Sequence, residues 1–239
     1  MVLINSNEFA FGLGITVHVR TTRVDNQNIA YSYISSVAVK IGNDILEVSG
    51  DEDAGELFAN KVSAVEVTSL AGYPLTKSLR TFKYPKKDVV IYSLNLRDGN
   101  SIEIRANTNT GMLYVDINGH FGHSEGLVGS RQHEGLFSRD GTMDLSGHWN
   151  TYGKEWQVKN TEPKLFRVNS APQHPEGCVY VSKEITTNLR HRRLTDDAAV
   201  SIEDANEACA TSHDRLKEFC VYDLMASGDL DLAEDRFYN

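Results

Sequence analysis

A series of short runs in which apolar and polar residues alternate constrains this chain more than any other feature of its sequence. Ile15–Arg20 reads Ile-Thr-Val-His-Val-Arg, and similar runs cover Ile34–Ile41, Ile45–Val48, Val65–Val67, Val89–Leu96, Ile102–Ala106 and Leu113–Ile117. A period of two places every second side chain on one face, the pattern of a strand with one buried side. The separators are turn formers: Gly42-Asn43-Asp44, Asp98-Gly99-Asn100 and the stretch Asn107–Gly111. Asp98-Gly99 between two alternating runs predicts a hairpin, because a tight two-residue turn needs positive φ. Evenly spaced antiparallel strands of this kind predict a mainly β fold, a β-sandwich or open barrel.

The texture changes twice further on. Gly119–Trp149 is rich in glycine and histidine and poor in strand formers, which predicts a long structured loop. Strand character returns at Glu155–Val158. Residues 159–179, with Pro163, Pro172 and Pro175, then read as an extended linker. Residues 180–239 read as a small α-helical tail. Ser201 is an N-cap followed by Glu203 and Asp204, and Ile202, Ala205 and Cys209 share a helical face. Leu216, Phe219, Cys220 and Leu224 mark a second helix that Ser227-Gly228 would stop. The expected division is a β domain over 1–158, a linker over 159–179 and a helical tail over 180–239.

The chain of 239 residues carries a formal charge of −9, spread along its length. No basic face is visible, so nucleic acid is not an expected partner. The one dense basic cluster, Arg190–Arg193, reads as a solvated loop. No apolar run is long enough to predict a membrane-spanning helix. Met1–Glu8 lacks the basic and apolar regions of a signal peptide. The three cysteines, Cys178, Cys209 and Cys220, leave at least one thiol unpaired within the chain, and the Cys209 to Cys220 spacing fits two stapled helices.

The usual catalytic signatures are missing: no G-x-S-x-G elbow, Walker loop, dinucleotide fingerprint or H-E-x-x-H is present. Gly126–Ser130 is not followed by the helix or lysine that a phosphate cradle requires. His120, His123, His133 and His148 cluster in the glycine-rich region, and His120 and His123 could supply two metal ligands without a committed third. The acidic segment Gly50–Glu56 could attract a cation but lacks a fixed ligand alternation, and it reads as a solvated loop.

Three pieces occur in a familiar order: Gly126-Leu-Val-Gly129-Ser130, then Ser138-Arg-Asp140-Gly141-Thr142, then Tyr152-Gly153-Lys-Glu-Trp156-Gln-Val158. In that order and spacing they resemble the end of a von Willebrand factor type D domain, and Val37–Ile41 is similar to a strand of that family. The resemblance covers roughly residues 8–158. In the tail, Ala208-Cys209 and Phe219–Asp229, with Asp223, Gly228 and Asp229, are similar to a segment that follows such domains in secreted proteins. D-like domains of secreted or surface algal proteins are the nearest in pattern. The sequence departs from the family in three ways. The opening G-D-P-H strand is missing, Val128 stands where the family has cysteine, and Ser130, Gln132 and Glu134 occupy the calcium-loop positions with one carboxylate among them. The resemblance therefore implies a calcium site weakened or lost, and no cofactor.

Together these readings lead to the expectation of a non-catalytic interaction module, serving adhesion or matrix assembly within a longer secreted or cell-surface precursor. Its partners would be other proteins or matrix and glycan components, and Cys209–Cys220 would be its disulfide. Two other readings stand beside it: a metal-dependent hydrolase using His120, His123 and His148, and an accessory domain of a lipid carrier.

Overall fold

The computed structural model describes residues 1–26, 29–50, 55–83, 86–108, 110–121, 123–129, 135–168, 200–212, 217–227 and 233. The fold is mainly β, a curled antiparallel sheet that forms a half-barrel, with a few short helices near the C-terminus. Two compact units can be separated: residues 1–22, 33–81 and 87–179, and residues 23–32, 82–86 and 180–239.

The strands are β1 (Val2–Ser6), β2 (Ile15–Asn26), β3 (Ile29–Ile41), β4 (Asp44–Ser49), β5 (Glu56–Ala59) and β6 (Val62–Ala64), followed by β7 (Ser69–Leu70), β8 (Tyr73–Lys83), β9 (Lys86–Asn95), β10 (Ser101–Asn107) and β11 (Leu113–Asn118). Hydrogen bonding orders them β6-β5-β4-β3-β11-β10-β9-β8-β7, and β2 joins β1 to β3. The helices are α1 (Phe9–Gly12), α2 (Trp149–Glu155), α3 (Ile202–Ala208) and α4 (Lys217–Ser227).

The third strand is the hub. Along Ser36–Ile41 it pairs with β4, whereas at Ile34 its partner is Leu113 of β11. The handover occurs at Gly50, whose N–H donates to Ser35 O at 2.7 Å. A Cβ on Gly50 would run into the carbonyl oxygen of Gly111, and a Cβ on Gly111 into that of Gly50. Two backbones therefore meet where only glycine leaves room, and Gly111 also sits at φ +71°. From this junction the sheet divides into two arms that enclose one core. Val17, Val37, Val39, Leu46 and Val48 come from one arm, and Tyr92, Leu94, Ile102 and Ile104 from the other. Tyr92 ties them together by donating its hydroxyl to Gly55 O at 2.6 Å in the interior.

The expected hairpin at Asp98-Gly99 is present. Both residues have positive φ, +60° and +76°, and Leu96 N donates to Asn100 O at 2.9 Å. This is the mirror-image turn whose twist matches that of the flanking strands. The strand expected at Val65–Val67 is absent. The β5–β6 hairpin, turning through Asn60 and Lys61 at positive φ, uses Val62–Ala64 instead and leaves Val65 97% exposed, past the end of the ladder.

In β4 the alternation of residue type is not an alternation of burial. Leu46 and Val48 face the core, yet Glu47 between them is also buried. Its carboxylate accepts from Arg167 N at 2.6 Å, and the Arg167 guanidinium lies 4.2 Å from the centre of the Phe58 ring. Leu165 and Phe166 pack beside Ala38 and Ile45. The described part of the proline-containing segment, residues 159–168, is thus a strap on the sheet rather than a free connection. Burying side chains such as Leu165 and Phe166 contributes about 1.5–3 kcal/mol each.

In the second unit Ser201 caps α3 by accepting from Asp204 N at 3.0 Å, as its sequence position leads one to expect. A disulfide joins Cys209, just past α3, to Cys220 in α4, with Cα atoms 6.0 Å apart. Helices of seven and eleven residues are too short to persist alone in water.

This geometry generates two expected outcomes. Gly111→Ala meets both the Gly50 carbonyl and a positive φ, whereas Gly99→Ala, with nothing within 4 Å, meets the φ alone. In urea unfolding the first substitution should cost about 3 kcal/mol or more and the second about 1 kcal/mol. Cys220→Ser should lose about 3 kcal/mol of loop-closure stabilisation from the helical pair. The loss is measurable as reduced helical circular dichroism and faster amide exchange over 202–227.

Candidate functional site

The three motif pieces that carry the family resemblance follow one another within residues 126–158, and the structure sets the first and third against β1. A bulge in β1 makes this possible. Val2 lies opposite His18 while Ile4 lies opposite Val17, so the register slips by one residue between them. A one-residue slip exchanges the faces of a strand. Ile4 therefore joins the main core, while Val2 joins a second cluster with Leu145, Tyr152 and Trp156, against which Leu127, Leu136 and Val158 pack.

Each motif piece has a structural role in this cap. The first piece runs along β1. Asn5 and Glu125 exchange backbone hydrogen bonds at 2.7 and 2.9 Å, and Leu127 N donates to Val2 O at 3.1 Å. Gly126 passes so close to the Leu3 carbonyl that a Cβ would collide with it. Gly129 N donates back to Gly126 O at 3.0 Å, closing the turn.

The second piece is a self-bonded turn. Asp140 Oδ1 accepts from Ser138 Oγ at 2.6 Å, Thr142 Oγ1 at 2.8 Å and Thr142 N at 3.1 Å, while Gly141 takes φ +69°. The Ser138 hydroxyl, with the Thr142 amide and hydroxyl, holds the Asp140 carboxyl well below the usual range, at about 2. Ser146 similarly keeps Asp144 low.

The third piece corrects the expectation of a strand at Glu155–Val158. Glu155 ends α2, and Trp156 is its C-cap. The physical reason is the spacing of Tyr152 and Trp156, four residues apart, which puts both rings on one side of a helix and both against Val2. Gly153, in the same turn, leaves ordinary contact room beside Met1. Tyr152 donates its hydroxyl to Gly126 O at 2.6 Å, and Val2 N donates to Trp156 O at 2.7 Å, so the first and third pieces lock onto each other and onto β1.

Sequence reasoning missed the polar groups that fasten this cap. The Arg139 guanidinium lies 5.0 Å from the Trp156 ring centre, donates to Gln157 O at 2.9 Å and forms an ion pair with Glu162. Such stacking contributes about 0.5–2 kcal/mol. Burial pushes Glu162 up, but Arg139 and the Lys159 amide outweigh it and keep its carboxyl low. Beneath lies His18, 4% exposed, on the face of β2 that looks toward Val2, with no hydrogen-bond partner at Nδ1 among the described residues. Burial depresses its pKa to about 4, assisted by the Met1 ammonium, Lys164 and Arg139 and opposed by Glu162. The Met1 ammonium itself donates to Val19 O at 2.5 Å. In sequence His18 stands at a polar position of an alternating run and reads as solvent-facing. Its cross-strand partner is Val2 of β1, and Arg139, Glu162 and Lys164, more than a hundred positions away, lie near enough to act on its charge.

The remaining candidates are dispersed. His120 N donates to Asn100 Oδ1 at 2.6 Å, His123 lies 3.4 Å from the Glu8 carboxylate in an exposed pair, and His148 precedes α2. Among the described residues no three His, Cys, Asp or Glu side chains are grouped to hold a metal ion. Ser130, Gln132 and Glu134, the degenerate calcium-loop positions, lie outside the described residues, as do Cys178, Gly228 and Asp229. Asp223 lies on α4, half-buried. No described helix is long and apolar enough to cross a membrane. No protein-family model matches the chain, and no curated protein is similar to it.

The His18 environment predicts a pH dependence. Its folded pKa, about 4, lies below the ordinary 6.5, so the unfolded chain takes up the proton first. Stability from this group is intact above pH 6.5 and should fall by about 3 kcal/mol as pH drops to 4. Urea midpoints measured across that range should slope for the native chain and flatten for His18→Gln.

Proposed function

We propose that this chain is a non-catalytic interaction module of a larger secreted or cell-surface protein, serving adhesion or matrix assembly. The observation that carries the reading is how the polar residues of the cap are used. Asp140 is taken up by its own turn, Tyr152 by Gly126, Arg139 by Glu162 and Trp156, and Glu47 by the Arg167 amide. These groups fix loops in place, and fixed loops on a sheet are a common way to present a binding surface. The type D-like pattern of Gly126, Asp140, Gly141, Gly153 and Trp156 supports the same reading. The disulfide between Cys209 and Cys220 fits an oxidising compartment.

The test is a pair of measurements on the secreted chain. Immobilised protein should bind at least one matrix protein or glycan from a defined panel saturably, and should turn over no ester, phosphoester or peptide substrate with added Zn²⁺ or Ca²⁺. Metal-dependent turnover that disappears in His123→Ala would instead establish a hydrolase and sink the proposal.

A further inference from the structure

Among the strands of the sheet, β8 is unusual in what it leaves uncovered. Leu75 is buried, but every residue from Thr76 to Thr81 is exposed, Leu79 at 63%. A strand exposed on both faces contributes little to a core. Its outer neighbour β7 is two residues long and pairs only with Tyr73 and Pro74, and Leu75 N still donates to Thr68 O at 2.9 Å on that side. Backbone groups alternate along a strand. The N–H and C=O groups of Lys77 and Leu79 therefore point the same way as those of Leu75, toward the outer edge, where no described strand lies beyond β7.

Open edges are ordinarily guarded by shortness, proline or charge. The other end of the sheet, β6, has three residues. The exposed stretch of β8 has six, with no proline, and its charges are of one sign: Lys77 on the face of the Tyr92 ring, 5.6 Å from its centre, and Arg80 on the opposite face by alternation. In sequence, Tyr73–Asp88 holds five basic residues against one acidic, within a chain of net charge −9. Paired with a second copy of itself, this edge would set like charges against each other, which is destabilising. Paired with an acidic strand, the same charges become attractive.

We propose that the outer edge of β8, over Thr76–Thr81, is a docking site for an extended acidic polypeptide segment that adds to the sheet as a further strand. Main-chain hydrogen bonds to Lys77 and Leu79 supply the register, Leu79 an apolar contact, and Lys77 and Arg80 the sign preference on either face. This rests on the reading of the chain as a binding module and names the kind of partner.

The experiment measures fluorescence anisotropy of a labelled extended peptide rich in valine, threonine and glutamate, titrated with the full chain. Saturable binding that weakens with added salt is expected, with none to the same peptide carrying lysine for glutamate. Leu79→Pro removes an outward N–H and leaves the β8–β9 ladder alone, so it should weaken binding roughly tenfold or more at an unchanged circular dichroism spectrum. The double variant Lys77→Glu, Arg80→Glu should lose the acidic peptide and gain the basic one. Binding unaffected by Leu79→Pro overturns the strand-edge site, as does binding to heparin with none to the peptide, or no binding at all. A chain that fails here yet binds a component of the matrix panel loses this site and keeps the module reading.

Discussion

Everything else in the sheet hangs on the point where β3 exchanges one partner for another. Gly50 ends the pairing with β4, Gly111 opens the approach of β11, and their backbones come closer than any side chain would permit. Were that junction wider, the two arms would splay and the interior shared by Val37, Leu46, Tyr92 and Ile104 would reach water. The steric freedom of two glycines is thus converted into the burial of many aliphatic side chains, which is where most of the favourable free energy of folding arises. The bond from Tyr92 to Gly55 is a consequence of that closure.

A curled sheet still has an outer face, and the chain covers part of it with described residues between 125 and 168. The β1 bulge lets one short strand serve both layers, and the Arg139–Glu162 pair and the Glu47–Arg167 contact pin the covering segment at separated points. Fixing a long loop is entropically costly per residue, so aromatic burial and polar anchors have to act together. His18 shows the chemical consequence. A group that would be charged in mildly acidic water is held neutral because burial takes it out of solvent and the cations near it outweigh Glu162.

Much of the strand framework was legible in the sequence because period-two alternation reports a half-buried strand directly. The turn at Asp98-Gly99 was legible because its chemistry is local. The failures share a cause. β1 alternates in burial but not in residue type, and its bulge sends Val2 and Ile4 into different layers. β8 carries no burial signal because it has almost none to give. Trp156 read as a strand residue because four positions suffice for either period, and only the position of Tyr152 against Val2 decides between them. For the cap, the motif positions stood out by pattern, but Leu3, His18 and Glu162 meet them only in three dimensions. Local sequence carries no record of such distant partners.

The bulge in β1 also bears on how this part of the chain tolerates change. A substitution at Leu3 alters one side chain, whereas straightening the bulge would return Val2 and Ile4, two positions apart, to the same face. One layer would then lose its anchor. Register, more than composition, is what such an arrangement demands of residues 2–6.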